Sequence, residues 1–173
     1  MNKLILLLII ITCNPQYIFS NDTVHTVASE ELWFQLNSGN KEIIKNYLQK
    51  GGNINITDNV GNNLLMLAAI NADVDIVKFL IKKGINVNHK NKLGQNAFIS
   101  AIMSFNNNIE TMKILIENGI DTNILFTFYS SDNWNTLLIA ADTGIIDIID
   151  YLLNMNFDIN YKNQKNNIFV EEI

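Results

Sequence analysis

The stretch DIVKFLIKKGINVN, Asp75 to Asn88, decides how the rest of the chain reads. Ile76, Val77, Leu80 and Ile81 fall three and four residues apart, which sets them on one helical face. Gly84 follows where a helix ends in a left-handed residue, and Asn88 closes the segment. Three other segments answer it: EIIKNYLQKGGNIN before it, ETMKILIENGIDTN and DIIDYLLNMNFDIN after it. Their closing asparagines, Asn55, Asn88, Asn123 and Asn160, lie 33, 35 and 37 residues apart. A recurrence of this length marks a stack of supersecondary units.

A second set precedes the last three: GNNLLMLAA, GQNAFISAI and NWNTLLIAA. Leu65, Ala68 and Ala69 recur as Phe98, Ala101 and Ile102, then as Leu137, Ala140 and Ala141, again on one helical face. Asn63, Asn96 and Asn135 stand just ahead, suited to cap each helix. The stripe of Asp75–Asn88 recurs as Thr111, Met112, Leu115 and Ile116, then as Ile148, Ile149, Leu152 and Leu153. Gly51 and Gly119 repeat the role of Gly84, and Asn156 takes it in the last unit. Each unit therefore reads as helix, turn, helix and extended connection. One unit cannot bury its apolar face alone; stacked neighbours make a continuous core.

These residues resemble the ankyrin repeat family, whose pattern is G-x-T-P-L-H-x-A-A followed by G-x-x-E-I-V-K-x-L-L-x-x-G-A-D-V-N. The nearest matches are GNKEIIKNYLQKGGNIN at Gly39–Asn55, Asp75–Asn88 itself, and AADTGIIDIIDYLL at Ala140–Leu153. The resemblance implies an all-α solenoid of stacked antiparallel helix pairs joined by β-hairpin-like fingers, covering about Glu30 to the C-terminus. On this reading 30–60 is an N-terminal capping unit, and 61–93, 94–132 and 133–165 are repeats. The middle one of the three carries two insertions, and 166–173 is a truncated C-terminal cap. No T-P-L-H tetrapeptide is present: NLLM, NAFI and NTLL stand there, with Met66, Ile99 and Leu138 replacing the family histidine. Greasier packing between units and lower rigidity are expected.

The irregular spacings locate the insertions. Two extra residues fall in the inter-helix turn near Ser104–Asn108. Four more fall between Asn123 and Asn133, inside LFTFYSSDNW (Leu125–Trp134), the one lengthened finger. Alternation of Phe126, Thr127 and Phe128 reads as strand. In the family, fingers and inner helices line a concave face that grips protein partners. Two roles stay open for the rings of Phe126, Phe128, Tyr129 and Trp134: filling grooves between repeats, or anchoring a partner. His89, Lys92 and Asp58 on neighbouring fingers are further candidates for partner contact.

Composition narrows the function. The 173 residues are 48% hydrophobic with net charge −5, and every basic residue is lysine. Nucleic-acid binding normally needs a concentrated basic face, so nucleic acid is not expected. MNKLILLLIIITCNPQYIFS has one Lys, an apolar run from Leu4 to Ile11 and a polar end at Ser20. A spanning helix needs about 20 apolar residues, and this run fits a signal peptide over 1–20 instead. A polar lead-in, 21–29, would follow. Alternatively IITC, Ile10–Cys13, resembles a loose bacterial lipobox, with Cys13 lipidated and the protein anchored to the envelope. Export to a periplasm or beyond, with no membrane span in the mature chain, is the expectation. No catalytic, metal or cofactor site is expected. His25 and His89 stand apart without zinc spacing. Asp142-Thr143-Gly144 sits in an inter-helix turn of the repeat. The expected function is non-catalytic recognition of an unnamed protein by a monomer.

Overall fold

The computed structural model describes residues 30–36, 41–104, 108–128 and 131–157. The expected signal peptide (1–20) with Cys13, the lead-in (21–29) and the C-terminal cap (166–173) lie outside them.

Eight helices and one hairpin make up the described residues. Helices α1 (Glu30–Leu36) and α2 (Lys41–Gln49) form the first pair. Helices α3 (Leu64–Ile70) and α4 (Val74–Lys82) form the second, α5 (Ala97–Ile102) and α6 (Ile109–Glu117) the third. Strands β1 (Phe126–Phe128) and β2 (Ser131–Trp134) precede the fourth pair, α7 (Thr136–Thr143) and α8 (Ile146–Asn154). Members of each pair pack together; α3, α5 and α7 pack in succession, and α4 packs on α6. The architecture is the helical repeat solenoid that the periodicity implies.

The core follows the repeating apolar positions. Leu65, Ala69, Phe98, Ala101, Ile102, Leu137 and Ala140 are buried along the first-helix row. Ile76, Val77, Leu80, Met112, Leu115, Ile148 and Leu152 are buried along the second. Met66, Ile99 and Leu138 are buried too, so seams between units are apolar where the family places histidine. The stripe is incomplete at its end: Leu153 is 36% exposed.

Asparagine starts the first helices as expected. Asn63 Oδ1 accepts from Met66 N at 3.0 Å, and Asn135 Oδ1 from Leu138 N at 2.8 Å. Asn96 Oδ1 accepts from Phe98 N and Ile99 N, while its Nδ2 donates to Asp121 O of the next connection at 2.7 Å. That second bond ties the head of α5 to the connection that follows α6 in the same unit. Gly51, Gly84 and Gly119 end the second helices at φ of 85°, 82° and 78°, and Asn156 does so at 62°. The longer turn lies between Ile102 and Ile109, where Asn108 Nδ2 donates to Ala69 O of the preceding unit at 2.6 Å.

Surface lysines bridge the second helices. Lys41 reaches Asp73 at 3.3 Å and Asp75 at 2.9 Å, and Lys78 reaches Glu110 at 3.5 Å. Lys113 stands 5.8 Å from the Tyr151 ring centroid. Hydrogen bonds to Asp75, then Asp73, raise the Lys41 pKa, and Lys41 lowers that of Asp75. Exposed pairs of this kind register units more than they stabilise them.

Candidate functional site: the finger edge

The first two fingers are turns, each closed by one polar side chain. Asp58 Oδ1 accepts from Val60 N at 2.9 Å and Asn62 N at 2.8 Å, and its Oδ2 accepts from Asn62 Nδ2 at 2.8 Å. One repeat later, Asn91 Oδ1 accepts from Leu93 N at 2.9 Å and Gln95 N at 3.0 Å. Fingers also bond to one another. Lys92 N donates to Val60 O at 3.0 Å, and Thr127 N donates to Leu93 O at 2.9 Å. Asn91 Nδ2 donates to Asn62 Oδ1 at 2.8 Å, Lys92 Nζ to Asn59 O at 2.7 Å, and His89 Nε2 to Gly61 O at 2.7 Å.

This lattice explains the glycines. Gly61 and Gly94 hold φ of 91° and 81°, a region costly for residues with a Cβ. A Cβ on Gly94 would also stand 3.3 Å from Leu125 O and 3.5 Å from Phe126 Cα. In the lengthened finger Asn133 takes over this backbone role at φ 63°. The lengthened finger carries the strand pair: Phe126 pairs with Trp134 and Phe128 with Ser131, with a register irregularity between.

The structure places the expected contact residues unevenly. Asp58, His89 and Lys92 are engaged in turn closure and finger-to-finger bonds, because fingers this close must satisfy one another's polar groups. Lys92 stays exposed and His89 is half-buried. Phe126 is 3% exposed and Trp134 9%, so both rings pack in the core and neither is an exposed anchor. Phe126 stands three residues after the closing Asn123, where Asp58 and Asn91 stand in their fingers, and it packs against the bare backbone of Gly94. The Phe128 side chain and all of Tyr129 lie outside the described residues.

What the sequence reading missed is a row of aliphatics. Val60, Leu93 and Leu125 are 44%, 41% and 52% exposed on three consecutive fingers. Val60 and Leu93 each precede a left-handed glycine, a position whose periodicity would have exposed them. A cleft lies beside the row, between Lys92, Leu93, Leu125 and Phe126.

Among the described residues, no group of three or more His, Cys, Asp or Glu could hold a metal ion. Asp142 and Thr143 close helix α7 rather than lying in the turn, and left-handed Gly144 follows as its cap. No described helix is long and apolar enough to cross a membrane.

No curated protein matches the chain. A family model described as ankyrin repeats, three copies, matches residues 32–125, more than half of the chain. Proteins built from such repeats are generally protein–protein interaction modules and typically non-catalytic. The matched span takes in the first three helix pairs and the first two bonded fingers, the elements whose geometry is set out above, and on that agreement the chain belongs to the ankyrin repeat family.

Proposed function

We propose that the protein is an exported recognition module that holds a protein partner along its finger edge and concave face. The observation that carries this reading is the row Val60, Leu93 and Leu125, aliphatic side chains left in water on fingers that bond to one another. Neighbouring exposed apolar groups cost solubility and mark interaction surfaces. Lys92, exposed beside Leu93, supplies a charged rim. Export rests on the charge and length of the segment 1–20, followed by cleavage after Ser20.

Affinity capture under native conditions, comparing wild type with Leu93→Asn/Leu125→Asn, tests the surface. Loss of a captured partner with unchanged circular dichroism is the expected result. Equal capture by the folded variant would remove the finger edge. Mass spectrometry of the processed chain tests export: a terminus at Asn21 supports cleavage, whereas a lipidated Cys13 supports the envelope-anchored alternative. An intact Met1 overturns both.

A further inference from the structure

Charge is unevenly spread along the stack. Residues 41–92 hold eight lysines and four carboxylates, whereas residues 93–157 hold one lysine and seven carboxylates. The net charge therefore passes from +4 in the first segment to −6 in the second. The four carboxylates of the basic segment have local work. Glu42 pairs with Lys45, Asp73 and Asp75 pair with Lys41, and Asp58 closes its finger. Lys82 and Lys83, at the end of α4, have no carboxylate within ion-pair distance among the described residues.

Lys83 lines a cleft of about 230 Å³ between the ends of α2 and α4, and Lys82 precedes it in sequence. Its lining is Leu48, Gln49, Gly52, Ile54, Phe79 and Lys83, and Lys83 Nζ lies 5.8 Å from the Phe79 ring centroid. The site is an apolar floor with a cationic rim. At the other end of the stack, α8 presents the complement. Ile146, Asp150 and Leu153 recur at four and three residues, so they share one helical face, with Asp147 beside them. Ile146 is 70% exposed and Leu153 36%.

We propose that the α2/α4 cleft of one copy receives the α8 face of a second copy, apolar side chains on the floor and aspartates against Lys82 and Lys83. The two surfaces lie on different units of one chain, so copies pair reciprocally or in a ring where the rotation between them closes and extend head to tail where it does not. Such an array would present many finger edges side by side and raise avidity for a repeated partner. One helix on one cleft falls below the roughly 1,200 Å² of a stable standard interface, so association is weak and concentration-dependent.

Sedimentation velocity of the full chain over a concentration series, at about 0.05 M and about 1 M salt, reads this directly, since the Debye length falls to about 3 Å at 1 M. Growth in mass at low salt and its loss at high salt are expected. Lys82→Glu/Lys83→Glu alone and Asp147→Lys/Asp150→Lys alone each associate at least about tenfold more weakly, because like charges then meet. An equimolar mixture of the two variants restores association, since each mixed contact again joins opposite charges. A chain monomeric at every concentration overturns the proposal. So does association that survives either reversal alone, which would assign it to another surface. Folding of both variants is checked by circular dichroism, and the mixture gives a gain of signal that damage to the fold cannot produce.

Discussion

Asn96→Ala should be the costliest of the three asparagine cap substitutions. Asn63 and Asn135 each give one cap bond, to Met66 N and Leu138 N. Losing such a cap costs about 1 kcal/mol. Asn96, fully buried, caps through two backbone N–H groups and also donates to Asp121 O at 2.7 Å. A hydrogen bond of this type contributes a further ~1 kcal/mol net. Asn96→Ala is therefore expected to lose about 2 kcal/mol, against about 1 kcal/mol for Asn63→Ala or Asn135→Ala. Urea unfolding of the three variants, followed by far-ultraviolet circular dichroism, gives the comparison at constant slope. Equal losses at all three positions would refute the claim that Asn96 also holds the connection after α6.

Thr111 is fully buried and its hydroxyl has no hydrogen-bond partner among the described residues, where the equivalent positions carry Ile76 and Ile148. Thr111→Val keeps the shape and removes the desolvated oxygen, so it should stabilise by about 1 kcal/mol; a lower urea midpoint would contradict this. Burial raises the Tyr47 hydroxyl above its ordinary 10.0, so the folded chain keeps a proton the unfolded chain has lost. That stability is full below the unfolded value and disappears as pH rises through the folded one. Tyr47→Phe should flatten the decline in urea midpoint across this window, leaving the slope from Tyr151, whose hydroxyl burial and Glu117 also raise, and from Lys41, raised by Asp75 and Asp73; an unaltered slope would show that Tyr47 ionises as easily folded as unfolded.

The helix pairs were legible because their signals are local. A period near 3.6 residues, an asparagine before the first helix and a left-handed residue after the second all fall within one unit. Counting from one closing asparagine to the next pointed to two lengthened connections, and strands β1 and β2 occupy the second. The fingers were less legible because their partners are a repeat away. His89 finds Gly61 O across 28 residues, Asn91 finds Asn62 across 29 and Lys92 finds Asn59 O across 33. Read singly, His89 and Lys92 looked like partner-contact residues. Phe126 and Trp134 were ambiguous for another reason. Strand alternation separates two faces but does not say which one meets the stack, and here the register also shifts between Phe126 and Phe128.

Asn133 shows how such a chain can diversify. By adopting the backbone angles that glycine supplies in shorter loops, it lets four additional residues enter while Asn135, two positions on, still starts its helix. Inherited length changes can accumulate at the rim without propagating into the spine. Related chains could then differ in what they hold while melting alike.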